Sequence, residues 1–315
     1  MNISILDAKT LNPGDLTWDA FKTYGNLAIY PHSSIEEIMP RSKDAEIILV
    51  NKVLISKAIM DQLPNLKYIG VTATGYNNVD LEAAKAKGIA VTNAPGYGTL
   101  GVAQHTFALI LELLSKVSIH NKAVKEGAWS NQDNFSLIVD PITGLENLTM
   151  GIIGFGTIGQ KVAEIAKAFA MNVIIHTRTE KPGFDFPFVT RDQLIKDADI
   201  VSLHCNLNAS NQEMVDEDFL SKMKSNAILI NTARGGLINE QALASALQKG
   251  IIAGAGLDVL SEEPPASDHV LLSAKNCIVT PHNAWAYPSC RRNLMDIVLS
   301  NLKAFLEGKL ENRLV

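Results

Sequence analysis

The sequence predicts an α/β protein with two domains, each containing a parallel sheet flanked by helices. Short β-rich runs alternate with helical patterns along the 315 residues, and such alternation is typical of βαβ units. The predicted strands are apolar on both faces, as are strands that a parallel sheet buries. Near the middle of the chain, glycines in G-x-G-x-x-G spacing follow a strand, and a second series of strands begins there.

Five strands are predicted before residue 100, at residues 3–6, 27–30, 46–50, 67–72 and 89–92. Helical patterns lie between them in SSIEEIM and in NVDLEAAKAKG. Asn78 or Asp80 can cap the second of these helices, and Gly88 can end it in a left-handed turn.

A long helix is predicted over residues 101–126. Its middle is almost continuously apolar, with Phe107, Leu109, Ile110, Leu111, Leu113 and Leu114. A helix that is apolar around its circumference is buried on more than one side, and another subunit is one surface that would cover it.

Six further strands are predicted after this helix, in MGIIGFG, VIIHT, DIVSLH, AILINT, GAGLDV and CIVTPH. The C-terminal stretch SCRRNLMDIVLSNLKAFLEG is again helical, and Gly308 is its predicted end. The two series of strands thus predict two α/β domains.

Composition excludes several classes of protein. The chain is 47% hydrophobic and 19% charged with a net charge of -5, and this mild acidity argues against nucleic acid as a partner. Its three cysteines are far apart, which predicts neither a disulfide framework nor a metal site. No basic leader precedes an apolar run, and no apolar stretch reaches the ~18 residues of a membrane span. We therefore expect a cytoplasmic protein without membrane contact.

The glycine motif consists of Gly154, Gly156 and Gly159, between an apolar strand at 150–153 and an amphipathic helix at 158–169. This is the context in which the motif binds a dinucleotide. The first glycine permits a tight turn, the second lets the backbone approach a pyrophosphate, and the third lets helix and strand pack closely. The alternative is a glycine-bearing turn that binds nothing.

The stretch VIIHTRTEK follows, and its ribose-reading position falls about 20 residues beyond the glycines. An acid at this position selects NAD, but Thr177, Arg178 and Thr179 stand here, with Lys181 nearby. Cations and hydroxyls can bind a 2′-phosphate, so we predict that NADP(H) is favoured, with NAD(H) possible. Two alternatives stay open: Glu180 supplies the acid after a loop shift, or Arg178 stacks on adenine.

Three strand ends in the second half carry polar groups where a parallel sheet places its ligand. Arg234 ends the strand in ILINTARGG and can grip a carboxylate with its two-pronged donor face. Asp258 ends the strand in GAGLDV, and Glu262 and Glu263 follow it before two prolines. His282 follows the strand in CIVTPH and is a natural proton donor near neutral pH. Each of these residues taken alone also fits a purely structural or solvated role.

Together, the ordered motifs G-x-G-x-x-G, NTARGG, DVLSEEP and TPHNAW resemble the D-isomer-specific 2-hydroxyacid dehydrogenase family. The resemblance covers essentially the whole chain, including TATGYNNVD and NAPGYGTLGVAQHT in the first half. Within the family, the sequence is most similar to the glycerate dehydrogenase (hydroxypyruvate reductase) members, partly because Trp285 follows the histidine.

The resemblance implies that His282 is the catalytic acid/base, that Glu263 is its hydrogen-bonded partner, and that Arg234 orients the substrate. A carboxylate beside His282 would stabilise the imidazolium and keep the proton donor charged. Arg234 would neutralise the substrate carboxylate and polarise the carbonyl. Glu262 is the less favoured of the two acids.

The resemblance also implies binding residues. Backbone groups of Thr74 and Gly75 would bind the substrate carboxylate, and SLHCNLN matches a cofactor loop, although Asn206 stands where the family commonly has proline. Asp258 corresponds to a residue that contacts the nicotinamide carboxamide. The expected binding residues also include Phe155, Thr157, Ile158, His204, Cys205, Thr232 and Ala233 for the cofactor, and Trp285 for the substrate.

The implied domains are discontinuous. Residues 1–99 and 287–315 form a flavodoxin-like substrate domain, and residues 100–286 form a Rossmann dinucleotide-binding domain. The site would lie in the cleft between them, and domain closure would exclude water. The family is typically dimeric, and we expect helix 101–126 in that interface.

The predicted function is an NAD(P)-dependent reductase of a small 2-keto acid, most simply hydroxypyruvate (the oxidised partner of D-glycerate) or glyoxylate. Lys52 would favour a polar hydroxymethyl substituent, although a solvated lysine after a strand is an equal alternative. A nucleotide-sensing, corepressor-like binding protein of the same fold is a different class of function, and an inactive family member is a third. The absence of a long basic extension disfavours the corepressor.

Overall fold

The computed structural model describes residues 1–179, 181, 183–309 and 311–315. These residues form two compact units. Unit 1 comprises Met1–Gly98 and Ala286–Val315, and unit 2 comprises Thr99–Trp285. The domain boundaries expected from the sequence, after residues 99 and 286, each lie one residue from the boundaries of these units.

The described residues form eleven named strands, five in unit 1 and six in unit 2. In chain order they are Asn2–Ile5 (β1), Asn26–Ile29 (β2), Ile47–Val50 (β3), Tyr68–Val71 (β4), Ala90–Thr92 (β5), Thr149–Ile153 (β6), Asn172–His176 (β7), Ile200–Leu203 (β8), Ile228–Asn231 (β9), Gly254–Leu257 (β10) and Cys277–Val279 (β11).

Helices connect the strands. In chain order the α-helices are Ala8–Leu11 (α1), Asp19–Lys22 (α2), Ile35–Ser42 (α3), Lys57–Asp61 (α4), Leu81–Ala86 (α5), Thr99–Ser115 (α6), Val117–Lys125 (α7), Thr157–Ala168 (α8), Arg191–Asp197 (α9), Glu217–Lys222 (α10), Glu240–Lys249 (α11) and Pro288–Leu306 (α12). A short 3-10 helix, Gly235–Leu237, follows β9.

Unit 1 contains a five-stranded parallel sheet in the order β2-β1-β3-β4-β5, which is the flavodoxin-like order. Every residue of β3 and β4 is buried, because helices cover both faces of a parallel sheet. The Asp80 side chain accepts a hydrogen bond from the N–H of Ala83 and caps α5. Gly88 then takes a φ of +69° after the helix.

Unit 2 contains a six-stranded parallel sheet in the order β11-β10-β9-β8-β6-β7. From β6 the chain passes to β7 on one side and then to β8 on the other side of β6. Neighbouring connections therefore diverge at the carboxyl ends of β6 and β8, the kind of position where open α/β sheets bind their ligands. The two parallel sheets confirm the predicted fold class.

The expectation of one helix over residues 101–126 is wrong. Lys116 has a φ of +54° and separates α6 from α7, and a left-handed residue cannot continue a right-handed helix. The apolar face of α6 packs in the core of unit 2 itself, through Phe107, Leu109, Ile110 and Leu113. The apolarity that suggested an interface is thus explained, for α6, by burial within its own unit.

Among the described residues, the longest helices are too short or too polar for any one of them to traverse a bilayer. Within this part of the chain, only α6 and α7 taken together meet the length and composition required, and the axis of this pair bends by 53°.

Candidate active site

The glycine loop joins β6 to α8 at the divergence of the connections. Gly154 has a φ of +98°, and a Cβ there would lie 2.6 Å from backbone atoms of His204 and Cys205. A Cβ on Gly159 would overlap the carbonyl oxygen of Gly154. A Cβ on Gly156 would meet no heavy atom within 4 Å, so the space beside this residue admits a ligand.

The N-terminus of α8 supplies the electrostatics of this loop. Gly156 is the N-cap of this 12-residue helix, and the first N–H groups of a helix have no intrahelical partner. Together with the positive end of the helix dipole, they attract a phosphate. The loop and the helix therefore fit the pyrophosphate of a dinucleotide.

His204 and Cys205 form the opposite wall, at the end of β8. The N–H of His204 donates to the carbonyl of Ile153 at 2.7 Å, and His204 Nε2 lies 2.8 Å from Ser202 Oγ. Burial lowers the pKa of His204 to about 4, because a buried imidazolium loses its hydration. His204 is therefore neutral at physiological pH.

The loop after Cys205 is held by an asparagine side chain. Asn211 Nδ2 donates to the carbonyl of Asn206 at 2.8 Å and lies 3.8 Å from Cys205 Sγ. The N–H of Asn208 donates to Asn211 Oδ1 at 2.7 Å. These bonds restrain the segment at which the family commonly has proline, and the sequence pattern alone did not reveal them.

Two predicted cofactor residues point their side chains into the core. Phe155 is 2% exposed and contacts three rings edge-on, those of Phe184, Phe186 and Phe188. Ile158 packs against the same core. Only the backbone of Phe155 is therefore available to a cofactor, whereas the Ile158 side chain is partly exposed.

The loop after β7 carries the predicted cofactor-selecting residues. Thr177 is half-buried, whereas Arg178, Thr179 and Lys181 are exposed. Glu180, the alternative acid, lies outside the described residues. The end of this loop bonds back to β7. The N–H of Ile175 donates to the carbonyl of Pro187 at 2.9 Å, and the N–H of Val189 donates to the carbonyl of Ile175 at 2.8 Å.

His282 and Glu263 are brought together, although 19 positions separate them in the chain. His282 Nδ1 lies 2.6 Å from Glu263 Oε2, and both side chains are about one third exposed, at 33% and 35%. Glu263 Oε1 also accepts the N–H of Leu260 at 3.0 Å. Glu262 is exposed.

Asp258 organises the turn on which His282 lies. Its carboxylate is 1% exposed and accepts the hydroxyl of Thr280 at 2.6 Å, the N–H of Asn283 at 3.0 Å and the N–H of Ala284 at 2.9 Å. The N–H of His282 donates to the carbonyl of Asp258 at 2.8 Å. The resemblance implied a cofactor contact for Asp258, and the structure shows bonds to this turn.

Arg234 lies three residues after the end of β9, and its side chain is exposed. Its Nη1 donates to the carbonyl of Ala233 at 2.7 Å. Asn231 holds this turn, because its Nδ2 donates to the carbonyl of Arg234 at 2.9 Å and its Oδ1 accepts the N–H of Ala233 at 3.0 Å. Thr232 is buried, and its hydroxyl lies 3.1 Å from that of Thr106.

The predicted substrate residues Lys52, Thr74 and Gly75 belong to unit 1. Lys52 is exposed on a turn whose N–H groups bond to the buried carboxylate of Asp7, that of Lys52 itself at 2.6 Å. The Thr74 hydroxyl donates to the carbonyl of Ala94 at 2.9 Å. Both turns follow strands at the carboxyl edge of the unit 1 sheet.

Trp285, the last residue of unit 2, is half-buried. Among the described residues, no group of three or more histidine, cysteine, aspartate or glutamate side chains is arranged to hold a metal ion.

A glycine loop at the divergence of a parallel sheet is typical of a dinucleotide-binding protein, and the hydrogen-bonded pair of His282 and Glu263 lies on the same unit. Residues 107–284 match the family described as "D-isomer specific 2-hydroxyacid dehydrogenase, NAD binding domain". The chain belongs to this family, as the sequence motifs predicted.

Similar proteins cover the chain almost completely. It is 41% identical to the hydroxypyruvate reductase of Blautia hydrogenotrophica, over 98% of each chain. It is 39% identical to the glycerate dehydrogenase of Methylorubrum extorquens, over 88% of each chain. A solved acyclic imino acid reductase (Bsp5), in complex with NADPH and D-arginine, superposes with a TM-score of 0.87, 32% identity and full coverage of both chains.

Proposed function

We propose that this protein reduces a small 2-keto acid to the D-2-hydroxy acid with a nicotinamide cofactor, and that His282 delivers the proton. The observation that carries the proposal is the 2.6 Å contact between His282 Nδ1 and Glu263 Oε2. An ionised carboxylate only accepts hydrogen bonds, so the ring donates from Nδ1 and directs Nε2 to the substrate oxygen.

Each of four residues has one task in this proposal. The bound cofactor supplies the hydride for the keto carbon, and His282 Nε2 gives its proton to the oxygen that becomes the hydroxyl. Glu263 stabilises the imidazolium that donates this proton. Arg234 neutralises the substrate carboxylate and polarises the carbonyl through its forked donors. Asp258 keeps the His282 turn in place.

The cofactor is assigned to the loop between β6 and α8. The N-terminal N–H groups of α8 would bind the pyrophosphate beside Gly156, and the backbones of Phe155, Thr157 and Ile158 would line it. The ends of β8 and β9 supply further walls of this site, through His204, Cys205, Thr232 and Ala233.

The proposed cofactor preference is NADP(H). Arg178, Thr179 and Lys181 are exposed on the loop after β7, where an acid would repel a 2′-phosphate. A charge-assisted hydrogen bond contributes about 1.5–3 kcal/mol, and one such bond corresponds to roughly tenfold or greater preference. The complex of the imino acid reductase relative with NADPH supports the same assignment.

The proposed substrates are hydroxypyruvate and glyoxylate. The printed names of the relatives, hydroxypyruvate reductase and glycerate dehydrogenase, support this class. Thr74 and Gly75 are proposed to bind the substrate carboxylate, and Lys52 and Trp285 to contact the remaining substituent. Lys52 favours a hydroxymethyl group, because an ammonium donates hydrogen bonds to a hydroxyl.

Steady-state kinetics test the proposal. Hydroxypyruvate, glyoxylate and pyruvate are each assayed with NADH and with NADPH, and we expect the highest kcat/KM with NADPH and hydroxypyruvate or glyoxylate. Parallel assays with added ammonia separate reduction of the keto acid from reduction of its imine. Binding of NADPH without oxidation by any 2-keto acid would refute the enzyme and favour the corepressor-like binding protein.

We also propose a homodimer, with its interface on α7 and the segment that follows. None of the nine residues of α7, all of them described, is buried. Phe135 is 91% exposed and Ile138 is 66% exposed. Extended apolar surface of this kind marks an interaction site, and it moves the expected interface from residues 101–126 to residues 117–142.

Light scattering after size-exclusion chromatography tests the dimer. Phe135→Asp is expected to yield monomers, since a charge would be buried in the interface. Ile35→Asp is the matched control, because Ile35 is also exposed, at 76%, but lies on unit 1. This variant should stay dimeric. A wild-type monomer, or an unchanged dimer in Phe135→Asp, would contradict this interface.

A further inference from the structure

Two consecutive residues of α6 reach the strand ends that carry the proposed catalytic residues. His105 and Thr106 end the sequence stretch NAPGYGTLGVAQHT, to which the proposed mechanism assigns no role. Both lie in unit 2, with His105 largely buried, at 13% side-chain exposure, and Thr106 fully buried. Polar side chains at such depth are held by specific hydrogen bonds.

His105 bonds to the turn of His282 through one intermediate. His105 Nε2 lies 2.9 Å from Thr280 Oγ1, and 3.5 Å from Asp258 Oδ1. The Thr280 hydroxyl gives its hydrogen to Asp258 Oδ1 at 2.6 Å. Since this hydroxyl has one hydrogen, His105 must carry its own on Nε2 and donate it to Thr280.

The hydrogen bonds from His105 through Thr280 to Asp258 form a relay, which ends on the backbone of the His282 turn. Asp258 accepts the N–H groups of Asn283 and Ala284, the two residues after His282. His282 itself has a φ of +50°, a conformation that a non-glycine residue adopts at a cost and keeps only when its surroundings enforce it. The relay supplies bonds on both sides of this residue.

Thr106 makes the equivalent contact at a different strand end. Its hydroxyl donates to the carbonyl of Val102 at 2.9 Å, so the hydroxyl of Thr232 donates to Thr106 at 3.1 Å. Thr232 lies two residues before Arg234. Substitutions can therefore remove the contact of His105 with the His282 turn without removing the contact of Thr106 with Thr232.

We propose that His105 is a positioning residue, which fixes the His282 turn through Thr280 and Asp258 and so sets the direction of the His282 ring toward its proton acceptor. This inference rests on the proposed function for its effect on turnover. Loss of the His105 donor loosens the relay, and a reacting group displaced by about 1 Å can lose a hundredfold in rate.

Kinetics of four variants test the effect on turnover. His105→Leu should lower kcat for 2-keto acid reduction by about 10-fold or more, with the KM for NADPH unchanged. His105→Gln should recover most of this loss, because its amide places a donor near the position of Nε2. The double variant His105→Leu/Thr280→Val should be no slower than Thr280→Val alone, since both changes break one relay. Multiplying losses, or a Gln variant as slow as Leu, would overturn the proposal.

NMR spectra of the histidine Cε1–Hε1 groups test the positioning independently of activity. The His282 signal, identified with His282→Gln, should shift in His105→Leu, because the ring no longer sits firmly against Glu263. Thr106→Val is the matched control on the same helix and should leave this signal in place. An unmoved His282 signal in His105→Leu would overturn the inference, whether or not the wild-type protein turns over a keto acid. Absence of turnover in the wild-type protein would instead overturn the proposed function.

Discussion

The turn of His282 and the loop after β7 differ in how they are held, although both follow strands of the same sheet. Buried bonds of Asp258 enclose the His282 turn, and Glu263 holds the ring itself. On the loop after β7, Arg178 and Lys181 are exposed. In the later part of this loop, Phe184, Phe186 and Phe188 pack on the ring of Phe155.

The difference corresponds to two kinds of task. Proton transfer depends on a distance and a direction, and a network of short bonds fixes both. Selection between two cofactors depends on the charge offered to one phosphate, and an exposed cation on a supported loop is sufficient for it. Substitutions in the two regions should therefore differ in size and in the parameter that they change.

The largest effect is expected at the histidine. His282→Gln should lower kcat by about 10³-fold, because the proton donor is lost, while NADPH binding stays at the wild-type level. Stopped-flow kinetics and fluorescence titration measure the two quantities. His32→Gln, an exposed histidine of unit 1, is the control and should match the wild type. Parallel losses of kcat and NADPH affinity in His282→Gln would contradict a role confined to proton transfer.

The glycine loop should show the next largest effect. Gly154→Ala places a methyl group 2.6 Å from the backbone of His204 and Cys205 at a φ of +98°, so we expect about 2–4 kcal/mol less free energy of unfolding. Gly156→Ala has free space instead and should retain its stability but bind NADPH more weakly. Denaturant unfolding and NADPH titration distinguish them. Equal stability of the two variants would refute the packing argument.

His204 predicts a pH dependence of stability. Its folded pKa, about 4, lies below the ordinary value near 6.5, so the unfolded chain takes up a proton first as the pH falls. The free energy of unfolding should therefore decline between pH 6.5 and 4, by at most about 3 kcal/mol, and this contribution is constant below that range. In His204→Gln the decline should be smaller. Identical curves of unfolding free energy against pH for both proteins would show that the pKa of His204 is not lowered in the folded state.

The smallest effect is expected on the exposed loop. Arg178→Ala should lower kcat/KM for NADPH about 10-fold and leave that for NADH unchanged, since one charge-assisted bond to the 2′-phosphate is lost. Arg191→Ala removes another exposed arginine of unit 2 and should change neither value. Equal losses with both cofactors would indicate stacking on adenine instead.

The fold followed closely from the sequence where local pattern decides it. The strand runs, the Asp80 cap and the stop at Gly88 depend on neighbours in the chain, and each appears in the structure. The break at Lys116 was missed, because the apolar pattern continues across it and only backbone geometry reveals it.

The features of the candidate site also divide into those that local sequence patterns predict and those that they do not. The glycine spacing identified Gly154 as a tight turn, and the motif order identified the family. The hydrogen bonds of Thr280 with Asp258 and with His105 join residues that are distant in the chain. No sequence periodicity predicts such contacts. The core packing of Phe155 was missed for the same reason.

The pH dependence of reduction in Glu263→Gln tests the central claim most directly. Without the carboxylate the imidazolium of His282 is less stabilised, so the pH at which kcat/KM falls to half should move to lower pH. Glu262→Gln is the matched control, because Glu262 is the exposed neighbour, and its profile should coincide with that of the wild type. An unchanged profile in Glu263→Gln, or an equal shift in both variants, would contradict the assignment of His282 and Glu263 as the acid/base pair.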